Sequence, residues 1–212
     1  LGDQVNTEMT ILFSDIRSFT AISEKMNPRE NFAFVNSYLS RMGPIVRKNS
    51  GYIDKFMGDG IMAIFPNSPS DAVRAGIEMQ NNLVSYNDTQ EKDQRIEIGV
   101  GINTGKMMLG TIGESDRMEG SVISDSVNLA ARLEELTKIY KSKILISENT
   151  ASKLVMKDFQ LRLLDVVAVK GKEKAVKVFE VLNGDSQESR DLKIDNIALF
   201  NDTLNHYRNQ DY

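Results

Sequence analysis

The sequence predicts a mixed α/β fold, and three observations carry that expectation. Short apolar runs of strand length alternate with segments whose apolar residues recur at helical spacing. Several runs are joined by only a few residues rich in glycine, as hairpins require. Helices between hairpin-linked strands imply a mixed sheet rather than a doubly wound parallel one.

The elements follow in chain order. Met9 to Asp15 is an apolar strand and Ser18 to Ser23 a short helix. Asn27-Pro28 opens a long helix to about Lys48, with Phe32, Phe34, Val35, Tyr38, Leu39 and Met42 on its apolar face and Pro44 expected to kink or break it. Tyr52 to Met57 and Ile61 to Phe65 form a hairpin about Gly58-Asp59-Gly60. After a loop from Pro66 to Pro69, Ser70 or Asp71 caps a helix through about Tyr86. Ile96 to Asn103 and Met107 to Ile112 read as two strands joined through Thr104-Gly105, followed by a polar loop, Glu114 to Gly120, and a short strand, Ser121 to Ile123. Asp125 to Leu136 is a helix, Ile144 to Ile146 a strand, and Ser147 or Asn149 starts another helix. Phe159 to Val169 and Ala175 to Leu182 pair around Lys170-Gly171-Lys172. Asn183 to Arg190 is a linker, and Asp191 to about Asn209 a single amphipathic helix. The expected division is a domain over residues 1–183 and an appendage over 184–212, the start of a further region.

Composition narrows the chemistry. The chain has 212 residues, 41% hydrophobic and 26% charged, with net charge −4, so it lacks the basic surplus of a nucleic-acid binder. There is no cysteine and one histidine, His206. Disulfides, thiolate chemistry, cysteine-ligated zinc and multi-histidine metal sites are thereby excluded. Carboxylates, Lys, Arg, Asn, hydroxyls and metals remain. No apolar run reaches membrane-spanning length and no leader is visible, so membrane contact by this piece is not expected. The start at Leu1 reads as a cut from a longer protein, cytoplasmic in this part, whose parent could be membrane-anchored.

Two acids stand out. Asp15, in Phe-Ser-Asp-Ile-Arg-Ser-Phe-Thr, and Asp59, in Asp-Lys-Phe-Met-Gly-Asp-Gly, each end a strand-like run beside a turn. Taken alone, either is an ordinary turn or cap residue. A carboxylate embedded in apolar sequence needs a partner, because burying it bare is costly. A pair of them meets that need by holding a divalent cation through hard oxygen ligands.

Phe13 to Thr20, Lys55 to Asp59, and Val127-Asn128-Leu129-Ala130-Ala131-Arg132 occur in an order that resembles the class III nucleotidyl cyclase catalytic domain, from about Met9 to Leu182. The resemblance implies an α+β fold with a ferredoxin-like βαββαβ core and a mixed, mainly antiparallel sheet. It implies an adenylyl cyclase converting ATP to 3′,5′-cyclic AMP and pyrophosphate in one in-line displacement. Asp15, Asp59 and the backbone carbonyl of Ile16 would bind two Mg2+ ions, for which Mn2+ substitutes. Lys55, four residues before Asp59, would read the base, since an ammonium donates to adenine N1 but not to the protonated N1 of guanine. Ser121, seven residues before Asn128, would be its partner, and its hydroxyl permits adenine without demanding it. Asn128 would orient the ribose. Arg132, one helical turn on, would stabilise charge on the pentavalent phosphate with its planar fork. Lys170 would grip the β- and γ-phosphates.

The resemblance also implies a head-to-tail homodimer, in which the acids of one chain meet Lys55, Ser121, Asn128, Arg132 and Lys170 of the other, and a regulatory region N-terminal to this piece. A guanylyl cyclase and a non-catalytic nucleotide-binding dimerisation domain are the alternatives. One departure is Gly99, where many members carry a phosphate-binding Arg. Gly99, Gly101 and Gly105 do not form a dinucleotide fingerprint, because the spacing is wrong and they precede a hairpin rather than a helix, and Gly101 to Lys106 is one residue short of a phosphate loop. Met107, Met108 and Met118 read as packing residues.

Overall fold

A computed structural model of the chain describes residues 5–91, 94–114, 117–168 and 175–209. In chain order the elements are β1 (Val5–Ile16), α1 (Phe19–Ser23), α2 (Pro28–Lys48), β2 (Tyr52–Met57), β3 (Gly60–Phe65), α3 (Pro69–Asn87), β4 (Ile98–Glu114), β5 (Arg117–Ile123), α4 (Asp125–Tyr140), β6 (Ile144–Ser147), α5 (Glu148–Ala151), β7 (Leu161–Val167), β8 (Val176–Val181), α6 (Gln187–Asp195) and α7 (Ile197–Asn209). Among the described residues no helix is long and apolar enough to cross a membrane.

The strands form one sheet in the order β2-β3-β1-β4-β6-β8-β7, with β5 branching from β4. Every pairing is antiparallel except β4 with β6. The first four strands with α2 and α3 make the expected βαββαβ core. Its two crossovers put both helices on one face, where Leu12, Ile16, Ile61, Phe65, Val100 and Ile102 pack against Tyr38, Met42, Val46, Val73 and Met79. The opposite face carries Ile11, Met9, Met62, Ile64 and Met107 against Ala130 and Val127 of α4. Successive strand residues point to opposite faces, so β1 serves both layers from one apolar run.

Helix α4 lies almost directly on β4. A Cβ at Gly101 would come 2.1 Å from the Glu134 backbone nitrogen, one at Gly99 2.3 Å from Thr137 Oγ1, and one at Gly105 2.2 Å from Ser126 Oγ. The glycines therefore serve a close backbone approach. Thr104-Gly105 is accordingly not a turn, and one 17-residue strand replaces the two expected. Thr104 instead bonds Thr10 at 2.9 Å and Thr150 at 3.1 Å. Along its length β4 changes partner, pairing β6 through Val100–Ile102 and β5 through Met108–Glu114.

Other boundaries move for local reasons. Ser68, not Ser70 or Asp71, caps α3, with Pro69 in the first turn. Pro44 does not break α2, whose neighbours Met42, Gly43, Ile45 and Val46 are all buried. The Asn27–Glu30 capping box starts that helix. Most of the polar run from Glu114 to Gly120 belongs to the β4–β5 pair. The expected C-terminal helix is two helices, divided at Asn196, whose amide side chain donates to the Leu192 carbonyl at 2.8 Å.

Candidate active site

The acid pair is assembled by strand neighbours. Asp15 is the penultimate residue of β1, and Asp59 sits in the turn between β2 and β3, where Gly58 takes the positive φ of 66° that the tight reversal requires. Because β3 pairs with β1 through Ser14↔Ile61, that turn lies beside the end of β1. Asp59 Oδ2 accepts the Ile16 amide at 3.1 Å. Asp59 is 8% exposed, and burial, then the adjoining Asp15 carboxyl and its charge, push its pKa up to about 6. Two adjoining carboxyl groups, one of them buried, fit a hard divalent cation, which offsets their charge. Among the described residues no third acid or histidine joins them within ligating reach.

Three residues that were not among the expected site residues lie close to the pair. Tyr38 of α2 bonds Ser14 at 3.3 Å, and burial beside Asp15 and Asp59 raises its phenol pKa. Arg17 donates through Nη2 to the Ser142 carbonyl at 2.9 Å, while its Nη1 is buried without a partner. Glu134 of α4 is 7% exposed with Oε1 unpartnered, and burial, then the charge of Asp15, raises its pKa to about 7. A signal for Glu134 was available: it falls on the stripe shared by Ala130, Leu133 and Thr137, where an acid is out of place.

The remaining candidates lie apart. Asn128 and Arg132 occupy the exposed side of α4, roughly opposite Glu134, and Arg132 pairs with Glu135 at 2.8 Å. Lys55 is exposed on edge strand β2, 3.3 Å from Asp54. Ser121 pairs through its backbone register with Gly110. Lys170 lies outside the described residues. Among the described residues no hydrogen bond or ion pair links Lys55, Asn128 or Arg132 to Asp15 or Asp59. Gly99 faces α4, so a longer side chain at that position has no room.

The chain matches the profile described as the adenylate and guanylate cyclase catalytic domain over residues 2–183. It is 41% identical, over 219 aligned residues, to "Adenylate cyclase, terminal-differentiation specific" of Dictyostelium discoideum, which covers 100% of this chain and 10% of that protein. It is 43% identical over 190 residues to the adenylate cyclase of Anabaena cylindrica, covering 85% of this chain and 38% of that one. The crystal structure of the adenylyl cyclase CyaB from P. aeruginosa superposes with a TM-score of 0.74 at 34% identity, covering 87% of this chain and 97% of that one. The chain thus spans well under half the length of these two curated relatives. A match over most of the residues, joined to the shared fold and to relatives above 40% identity, means that this chain belongs to the adenylate and guanylate cyclase catalytic domain family.

Proposed function

We propose that the chain is an adenylyl cyclase catalytic domain, converting ATP to 3′,5′-cyclic AMP and pyrophosphate in a head-to-tail homodimer with two shared sites. The observation that carries this reading is the separation of its candidate residues. Asp15 and Asp59 converge on one strand end, while Asn128 and Arg132 face away on the exposed side of α4. A second copy supplies what one chain leaves apart. Edge strand β2 exposes Tyr52, Phe56 and Met57 just before the Asp59 turn, an apolar surface suited to a partner.

In this reading Asp15, Asp59 and the Ile16 carbonyl hold two divalent cations, Mg2+ with Mn2+ as substitute. When bound, these supply Lewis-acid activation of the ribose 3′-hydroxyl and charge neutralisation on the triphosphate. Lys55 and Ser121 of the opposite copy bind the adenine edge. Asn128 orients the ribose, Arg132 meets the charge that develops at the α-phosphorus, and Lys170 holds the outer phosphates. The 3′-oxygen forms a bond to the α-phosphorus as the bond to the pyrophosphate oxygen breaks. The relatives named adenylate cyclase support ATP as substrate, and Lys55 supports it chemically.

Complementation tests the shared site. Asp59→Ala and Asn128→Ala chains are each expected to be inactive, and mixed they regain about a quarter of native activity if subunits exchange freely into heterodimers with one intact site. No recovery in a mixture that demonstrably forms heterodimers would sink the shared-site reading. Product analysis with ATP and GTP separates adenylyl from guanylyl cyclase. The absence of either cyclic nucleotide would leave a non-catalytic binding domain.

A further inference from the structure

Glu134 is an anomaly that the proposed reaction leaves unused. It is a buried acid on the helix face turned toward β4, and its Oε1 has no hydrogen-bond partner. Lys138 and then Arg17 offset its charge, but among the described residues neither forms an ion pair with it. A Cβ built at Gly99 would lie 2.6 Å from Glu134 Oε1 and 3.5 Å from Arg17 Cζ, so carboxylate and guanidinium converge on the space that Gly99 leaves empty. Arg17 is drawn instead to the Ser142 carbonyl, and its Nη1 stays unpartnered. The residue opposite Gly99 in the antiparallel register is Asp15. An incompletely compensated acid is costly to bury, and a well-packed neutral residue would be cheaper for folding alone.

We propose that Glu134 is a positioning residue for the divalent cations held by Asp15 and Asp59, a third negative charge just outside the ligand set that strengthens cation binding through Asp15. The geometry gives it that role because the fold sets it across from Asp15 without bringing it into ligating reach. Arg17 limits the same field from the strand side. Helix α4 carries Glu134 on one side and Asn128 and Arg132 on the other, so in the proposed dimer one helix borders the cations of one site and the ribose and phosphate contacts of the second.

This inference rests on the proposed cation site, and one measurement separates the two. Mn2+ binding to the nucleotide-free protein at pH 8 is followed by electron paramagnetic resonance for the native chain and for Glu134→Gln and Glu134→Asp. The native chain is expected to bind Mn2+. Glu134→Gln is expected to lose about five- to tenfold in affinity, the effect of one unit charge on a dication several ångströms away under strong screening. It should nevertheless unfold at the native temperature or above when metal-free, since an incompletely compensated buried charge has been removed. Glu134→Asp keeps the charge and stays within about twofold of native. The inference is overturned if Glu134→Gln binds Mn2+ like native, if it fails to fold, or if Glu134→Asp loses as much as Glu134→Gln. No Mn2+ binding by the native chain would instead overturn the cation site itself.

Discussion

At the residue scale the raised pKa values have a direct consequence for stability. Asp59 and Glu134 titrate at about 6 and about 7 in the folded chain, above their ordinary values of 3.8 and 4.5. The folded state therefore keeps protons that the unfolded state has already released. The stability they contribute is complete below about pH 4 and is lost as the pH rises through 6 and then 7. We expect the metal-free protein to melt at a lower temperature at pH 8 than at pH 5, with Asp59→Asn and Glu134→Gln each flattening part of that slope. Circular-dichroism melts across this range check it. Divalent cation should reverse the trend, because it binds the ionised pair. The acid pair was legible in the sequence because each member ends an apolar run beside a turn. Arg17 and Tyr38 were not, because their significance depends on which strands lie side by side.

Among the elements, the seam between β4 and α4 controls the site most directly. Gly101→Ala sets a methyl group against backbone atoms of Glu134 and Ala130, which cannot rotate away as a side chain could. A cost of about 1–3 kcal/mol is expected, with loss of activity as α4 is lifted, measurable by urea unfolding and product formation. Gly43→Ala, whose Cβ would meet only side-chain atoms at 3.3 Å or beyond, is the control and should be near neutral. The same seam explains why the middle of the chain was misread. Thr104-Gly105 carries turn-forming residue types, but Gly105 is there to admit Ser126, and an extended strand results. Local chemistry pointed to the β2–β3 hairpin correctly because Gly58 does need its positive φ. Residue type alone does not distinguish those two uses of glycine.

For the whole molecule, the C-terminal helices are joined to the sheet rather than trailing from it. Glu180 of β8, 1% exposed, accepts from Arg162 Nη2 at 2.6 Å and from Lys193 of α6 at 2.7 Å, and Lys193 also bonds Asp185 at 2.7 Å. The Arg162 guanidinium sits 4.4 Å over the Phe200 ring of α7. Lys193→Met and Phe200→Ala should each lower unfolding free energy by about 1–3 kcal/mol, and together by less than the sum, because Arg162 touches both ends of the network. Equilibrium urea unfolding of the two single variants and the double variant measures that shortfall. The sequence showed the amphipathic character of this segment but not its anchor, since an exposed and a docked helix share one hydrophobic period. The glycine seam has a last implication for control. With backbone resting on backbone, helix and strand behave as one solid piece with little freedom to slide. In the proposed dimer, turnover is then expected to change through how two such pieces meet, rather than through a slide of helix on strand within one copy.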